Sequence, residues 1–294
     1  MFHLINESAG TRKVENCKVE GCTVNNTGAY GDAYSGALFC GMINISNSTV
    51  EFNDCSYENN TKEGKYVGDL YYSAGKDITV KIDGKSVVKI STVEELNALK
   101  ATNAYVMLCA DLDFQGAAMA KPIELWKDST FDGMGHKISN VTTAVQGGYA
   151  TSLFRGDANP GNKVVKNLVV ENLKTPAGYS FAAAIWSDLQ GANIEIDNVH
   201  VNNATIAANG TIGGFVGFVS GSTTSVVVKN STISNSNLNG GEADHKRGAV
   251  VGRAYGCAVA CENVVVNNVK INDVAATDAT LVGDKGYTGN VTVK

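Results

Sequence analysis

Short runs of alternating apolar and polar residues recur along this chain, each broken by Asn or Gly. The clearest run begins Asn-x-x-(Val/Ile), at Asn16/Val19, Asn47/Val50, Asn167/Val170, Asn198/Val201, Asn230/Ile233 and Asn263/Val266. The step from Asn16 to Asn47 is 31 residues, and the last four copies step by 31, 32 and 33. A second apolar column lies eight residues after each Asn, at Val24, Cys55, Ile206, Leu238 and Ile271, with Thr175 the exception. Side chains alternate along a strand, so positions +1 and +3 face one way. Positions +6 and +8 face that way too only if the phase changes in between, which predicts a corner at +4/+5. Asn172, Asn203, Asn235 and Asn268 stand at +5, with Gly21 and Phe52 there in the first two copies. Asn and Gly tolerate left-handed backbone. Stacked copies would align the corner amides in a ladder.

A third strand follows in each copy, marked by small residues and an apolar pair. Examples are Ala183-Ala184-Ile185-Trp186, Gly213-Gly214-Phe215-Val216-Gly217 and Gly248-Ala249-Val250-Val251-Gly252. Three short strands per copy, separated by corners, describe one coil of a parallel β-helix. Each copy then buries its apolar face against the copies above and below. No repeat shows a 3.6-residue period, which excludes solenoids of helix pairs. The predicted fold is all-β, a right-handed parallel β-helix with coils of 31 to 33 residues.

Residues 90–143 depart from the repeat. Ser91 or Thr92 followed by Glu94 or Glu95 is a capping signature, predicting a short amphipathic helix that caps the second module. Val106-Met107-Leu108-Cys109-Ala110-Asp111-Leu112-Asp113-Phe114 and Phe131-Asp132-Gly133-Met134-Gly135-His136-Lys137-Ile138-Ser139-Asn140 read as atypical opening coils. A cap there would shield the core and the strand edge of a terminal coil.

This order of helix, Asp-Leu-Asp, Phe-Asp-Gly-x-Gly-His-x-Ile-x-Asn and repeated Gly-Gly-Phe-Val-Gly resembles the GLUG-motif β-helix proteins. These are common among surface and secreted proteins of gut Bacteroidetes and Firmicutes, often within adhesins or beside protease modules. The resemblance covers essentially the whole chain and is specific for fold rather than activity. Met134, where such proteins often carry Asn, and the degenerate Ala183-Ala184-Ile185-Trp186 copy are its departures.

Residues 67–81 match 282–294, and Met1-Phe2 stands before Asn16 much as Phe154 stands before Asn167. Residues 1–88 therefore read as the C-terminal part of one module, its cap missing, and 89–294 as a complete second one. This predicts a piece of a longer secreted chain whose signal peptide went with the missing part, placing the protein outside the cell or on its surface.

A net charge of −5 leaves no cation excess for nucleic acid, and no apolar run is long enough for a transmembrane helix. Glycine is abundant (32) and proline scarce (3), as expected where strands pair on both sides. The seven cysteines fit no zinc spacing and are expected to be mostly buried free thiols.

Chemistry is sparse. The densest mixed-charge cluster is Glu242, Asp244, His245, Lys246 and Arg247, with Arg253 close behind. It reads as a solvated corner loop or as a patch for an acidic sugar; as the acid/base group of a lyase or hydrolase it lacks an identified partner. Asp111, Asp113 and Asp132 lack the spacing of a calcium loop and read as turn residues. His3, His136, His200 and His245 are scattered. Tyr30, Tyr34, Tyr57, Tyr66, Tyr71 and Tyr72 concentrate in the first module, as surface decoration or as stacking groups for sugars. No catalytic residue, cofactor or metal site is assigned. The expected role is a non-enzymatic, adhesive extracellular rod whose partner is a host or bacterial surface glycan or protein. The alternative is a carbohydrate-active β-helix enzyme or carbohydrate-binding module.

Overall fold

The computed structural model describes residues 2–5, 10–24, 37–43, 47–58, 61–62, 65–66, 69–74, 78–156, 161–221, 225–240, 247–283 and 287–294. It is a parallel β-solenoid. Its spine is a 16-stranded sheet in which Val165, Ile196, Val228 and Cys261 stack in register, one from each successive coil. Shorter sheets complete the coil. One runs through Phe181–Ala183, Thr211–Gly213 and Arg247–Gly248, the other through Trp186–Gln190, Val216–Ser220 and Val251–Tyr255.

The inward columns fall where the alternation places them. Leu168, Val170 and Leu173 are buried after Asn167; Val199, Val201, Ala204 and Ile206 after Asn198; Val264, Val266, Val269 and Ile271 after Asn263. Thr175, the polar exception, is buried with its hydroxyl accepting from the Ala207 amide at 2.7 Å. The corner residues Asn172, Asn203, Asn235 and Asn268 have φ between 50° and 56°. A second phase change, absent from the sequence reading, sits at the leading Asn itself. In Ala192–Asn202 both Asp197 and Asn198 face outward, and Asn198 has φ 54°.

Two amide ladders follow from these corners. Asn263 donates to Asn230 at 3.2 Å and Asn198 to Asn167 at 2.9 Å, while Asn203 donates to Asn172 at 2.6 Å and Asn172 to Asn140 at 2.7 Å.

Two expectations need correction. The apolar segment after the small residues is not one strand. It bends at Ala184-Ile185, Gly214-Phe215 and Ala249-Val250, separating the two short sheets. Glycine is a steric necessity at and just after the bend, since a Cβ would lie 2.0 Å from the Ala249 carbonyl oxygen on Gly214 and 2.3 Å from the Ile212 carbonyl oxygen on Gly252. In the first part of the chain, Asn16 is not equivalent to Asn47. Register pairs Val14 with Phe52 and Lys18 with Ser56, so Asp54, with φ 52°, stands where Asn16 stands. Asn47 instead takes φ 53° in the turn before Ser48–Asn53, which buries Phe52.

The helix Val93–Ala98 forms as its signature predicts. Thr92 is the N-cap, its hydroxyl accepting from the Glu95 amide at 3.2 Å, and the Glu95 carboxylate accepts from the Thr92 amide. Just before it the chain reverses at Asp83-Gly84, both with positive φ, as a two-residue hairpin requires. Lys85–Ile90 then pairs in parallel with Ala104–Leu108, so one sheet is continuous across residues 82–108. Its core changes face there. Val106 and Leu108 join the large solenoid core, whereas Tyr105 and Met107 pack on the opposite face with Val50, Phe52, Val80, Ile82 and Met134. Burial on both faces explains the uninterrupted apolar run in Ala104–Leu108.

Candidate functional site

Of the six patch residues, Glu242, Asp244, His245 and Lys246 lie outside the described residues. Arg247 and Arg253 are described, both half-buried. They occupy two different strands of one coil, separated by the bend at Ala249-Val250.

Arg253 belongs to a constellation the sequence reading did not assemble. Register aligns Asp188, Phe218 and Arg253 in one column across three coils. Alternation turns Val219 and Ala254 inward, so Phe218 and Arg253 point outward. The Arg253 guanidinium carbon lies 5.8 Å from the Phe218 ring centre and 5.4 Å from that of Tyr255. Phe218 stacks on Phe181 from the neighbouring short sheet, with centroids 5.3 Å apart and planes 13° from parallel. Tyr149 meets Phe181 edge-on at 6.0 Å and donates its hydroxyl to Asp188 Oδ2 at 3.3 Å.

The result is a stripe from Tyr149 to Tyr255 across successive coils. Its ends are open to solvent, with Tyr149 37% and Tyr255 60% exposed, and its middle is half-buried. Such a stripe offers apolar ring area, one cation and two phenolic hydroxyls on a backbone whose spacing is set by strand pairing. Ring area of this kind binds sugars or protein side chains, and cation–π contact at an exposed site adds about 0.5–1 kcal/mol. The legible signal was aromatic side chains at outward positions of the third strand. Composition instead draws attention to the tyrosines of the first module. Tyr30 and Tyr34 lie outside the described residues, as do the side chains of Tyr57, Tyr66, Tyr71 and Tyr72.

The other candidates take structural parts. Asp111 Oδ1 accepts from the Lys137 amide and Asp113 Oδ1 from the Gln115 amide and the Asn140 side chain, as turn and ladder residues. Asp132 is wholly buried, accepting from the Tyr105 hydroxyl at 2.6 Å, with the Lys166 ammonium 3.5 Å away. His136 faces Asp111 at 3.1 Å. His200 is half-buried with Nε2 2.9 Å from Asn198 Oδ1, and burial pushes its pKa below the usual histidine value. Among the described residues no group of three or more His, Cys, Asp or Glu could hold a metal ion, and no helix is long and apolar enough to cross a membrane.

Outward carboxylates on the long sheet are paired across coils. Lys229 contacts Glu195 at 2.8 Å and Asp197 at 3.4 Å, and Lys137 contacts Glu171 at 2.9 Å. The hydrogen bond from Lys137 holds the Glu171 carboxyl below the usual carboxylate range. The same sheet carries outward Asn and Ser side chains, such as Asn162, Asn193 and Ser225 linked side chain to side chain.

The cysteines differ from expectation. Of the six cysteines whose side chains are described only Cys261 is buried, its thiol pushed up to about 12 by desolvation. Cys22 is exposed, and Cys17, Cys55, Cys109 and Cys257 are half-buried.

No protein-family model and no curated protein matches this chain. Among solved structures it is similar to a candidate immunoglobulin A1 protease from Bacteroides ovatus. The identity is 14% over 71% of this chain and 84% of that one, with a TM-score of 0.30. Strand register and burial define the solenoid fold.

Proposed function

We propose that this chain is a non-enzymatic adhesive rod that works outside the cell and binds a surface glycan or protein through the Tyr149–Tyr255 stripe. The observation that carries the reading is the stacked Phe181–Phe218 pair with Arg253 beside it, held outward on register-locked coils. Outward apolar rings on a soluble face are useful mainly where something covers them. The Asn and Ser side chains linked across coils on the long sheet support a rod, and the sequence resemblance to GLUG-motif surface proteins supports the extracellular setting.

A glycan array probed with the purified chain, followed by binding of the hits to F218A and Y255A, tests this. Tight binding that both substitutions weaken at least tenfold, without loss of fold, supports the proposal. Binding unaffected by either substitution removes the stripe as the site. Turnover of an acidic polysaccharide that His245→Ala abolishes would make the chain a carbohydrate-active enzyme instead.

A further inference from the structure

Cys17 and Cys55 occupy the same place in successive coils. Parallel register sets Glu15 against Asn53 and Lys18 against Ser56, which leaves the two cysteines one strand spacing apart, about 4.8 Å. Disulfides form between Cα atoms about 4.4–6.8 Å apart. The side chains are set alike. Cys17 Sγ donates to the Glu15 carbonyl at 3.3 Å and Cys55 Sγ to the Asn53 carbonyl at 3.4 Å. Cys55 Sγ also reaches the Val14 carbonyl of the neighbouring coil at 3.4 Å. Both thiols are free and half-buried, within reach of a small reagent that the buried Cys261 excludes.

We propose that Cys17 and Cys55 form a reversible thiol pair whose oxidation to a disulfide clamps two successive coils together. The oxidant is an external low-molecular-weight disulfide. One cysteine thiolate attacks it, forming a mixed disulfide and releasing one thiol. The second thiolate attacks the protein sulfur of that mixed disulfide, forming the Cys17–Cys55 bond and releasing the second thiol. Two protein thiols lose two electrons, the external disulfide gains them, and two protons pass to the released thiols. Burial holds the Cys55 thiol up, so closure quickens as pH rises.

The full chain is incubated with oxidised glutathione, its remaining thiols are alkylated, and peptides are mapped by mass spectrometry without reduction. The expected product is a cross-linked peptide pair carrying Cys17 and Cys55, lost in C55S and reversed by dithiothreitol. Exchange of the amides in Lys18–Glu20 and Ser56–Glu58 should slow about tenfold on oxidation, because the bond closes a long loop. Exposed Cys22 is the internal competitor. A link from Cys17 to Cys22, or both Cys17 and Cys55 alkylated while Cys22 carries glutathione, overturns the pair. A Cys17–Cys55 link that leaves exchange unchanged overturns the clamp.

Discussion

Asn167 joins the two features that define this solenoid, a left-handed corner and an amide ladder. Its φ is 51°, its side chain donates to Asp132 Oδ1 at 3.1 Å, and it accepts from Asn198 Nδ2 at 2.9 Å. Replacing it by Ala removes both hydrogen bonds, each with a net worth of about 0.5–1.5 kcal/mol. It also forces a side chain with no local hydrogen bond into the left-handed region, at about 1–2 kcal/mol. The site is half-buried, so the lower part of each range applies, and N167A should destabilise by about 3 kcal/mol. N167G loses the same hydrogen bonds but not the conformational preference, offset in part by the entropy of a glycine in the unfolded chain. It should therefore be milder, by about 0.5–1 kcal/mol. Urea unfolding followed by far-ultraviolet circular dichroism gives the midpoints, with the slope m checking that the unfolded state is unchanged. If N167A is as stable as N167G, the left-handed corner does not set the cost, and the account of the Asn columns fails.

Substitutions at four further positions probe other parts. Trp186 is wholly buried against Phe154 at 5.4 Å, and its indole N–H finds no acceptor among the described residues. W186A should cost about 3–5 kcal/mol and W186F under about 1.5, both read from the same urea midpoints. A Cβ on Gly252 would lie 2.3 Å from the Ile212 carbonyl, so G252A should separate the short sheets and raise hydrogen exchange at Val216–Ser220, whereas G256A, in open space though at φ 74°, should perturb only its own turn. His200 has its folded pKa depressed by burial, so the unfolded chain binds the proton more readily. Stability is then full above the unfolded value near 6.5 and falls as pH drops through the folded one. Thermal midpoints at pH 7.5 and 5.5 should converge in H200Q; an unchanged pH dependence would assign the loss to other groups.

How much of this was legible depends on whether a residue's reason is local. Asn198 and Asn203 carry theirs with them, because left-handed backbone has a compositional signature and the spacing repeats. Thr92 and Glu95 do too, since a capping box is complete within four residues. Asn47 misled for the same reason. It also adopts left-handed backbone, but in a turn, and only the pairing of Val14 with Phe52 reveals that Asp54 is the true partner of Asn16. Phe181 and Phe218 were unreadable as a pair because they come from different sheets brought together by the bend at Gly214-Phe215. The half-exposure of Cys17 and Cys55 likewise depends on how the first coils are covered, which their own spacing does not encode.

Met134 shows how one non-local requirement overrides a local one. Its backbone is left-handed, with φ 54°, a conformation that Asn adopts more readily. Two supports hold it there. Asp132 Oδ1 accepts from the Met134 amide at 2.9 Å, and Gly133 beside it leaves no room for a Cβ, which would lie 2.5 Å from the Asn167 carbonyl. The side chain is 1% exposed and packs with Tyr105 and Met107 in the cluster that also holds Val50, Phe52, Val80 and Ile82. A thioether fills such an irregular space and an amide there would need partners of its own. Burial of a methionine is worth about 1.5–3 kcal/mol against about 1–2 for the backbone conformation, so packing wins. Met134 thus falls where this chain presses a second core onto the outer face of its sheet. Tyr105 and Asp132 are tied there by a 2.6 Å hydrogen bond, and the cluster itself joins Val50, Phe52, Val80 and Ile82 to the coils that follow.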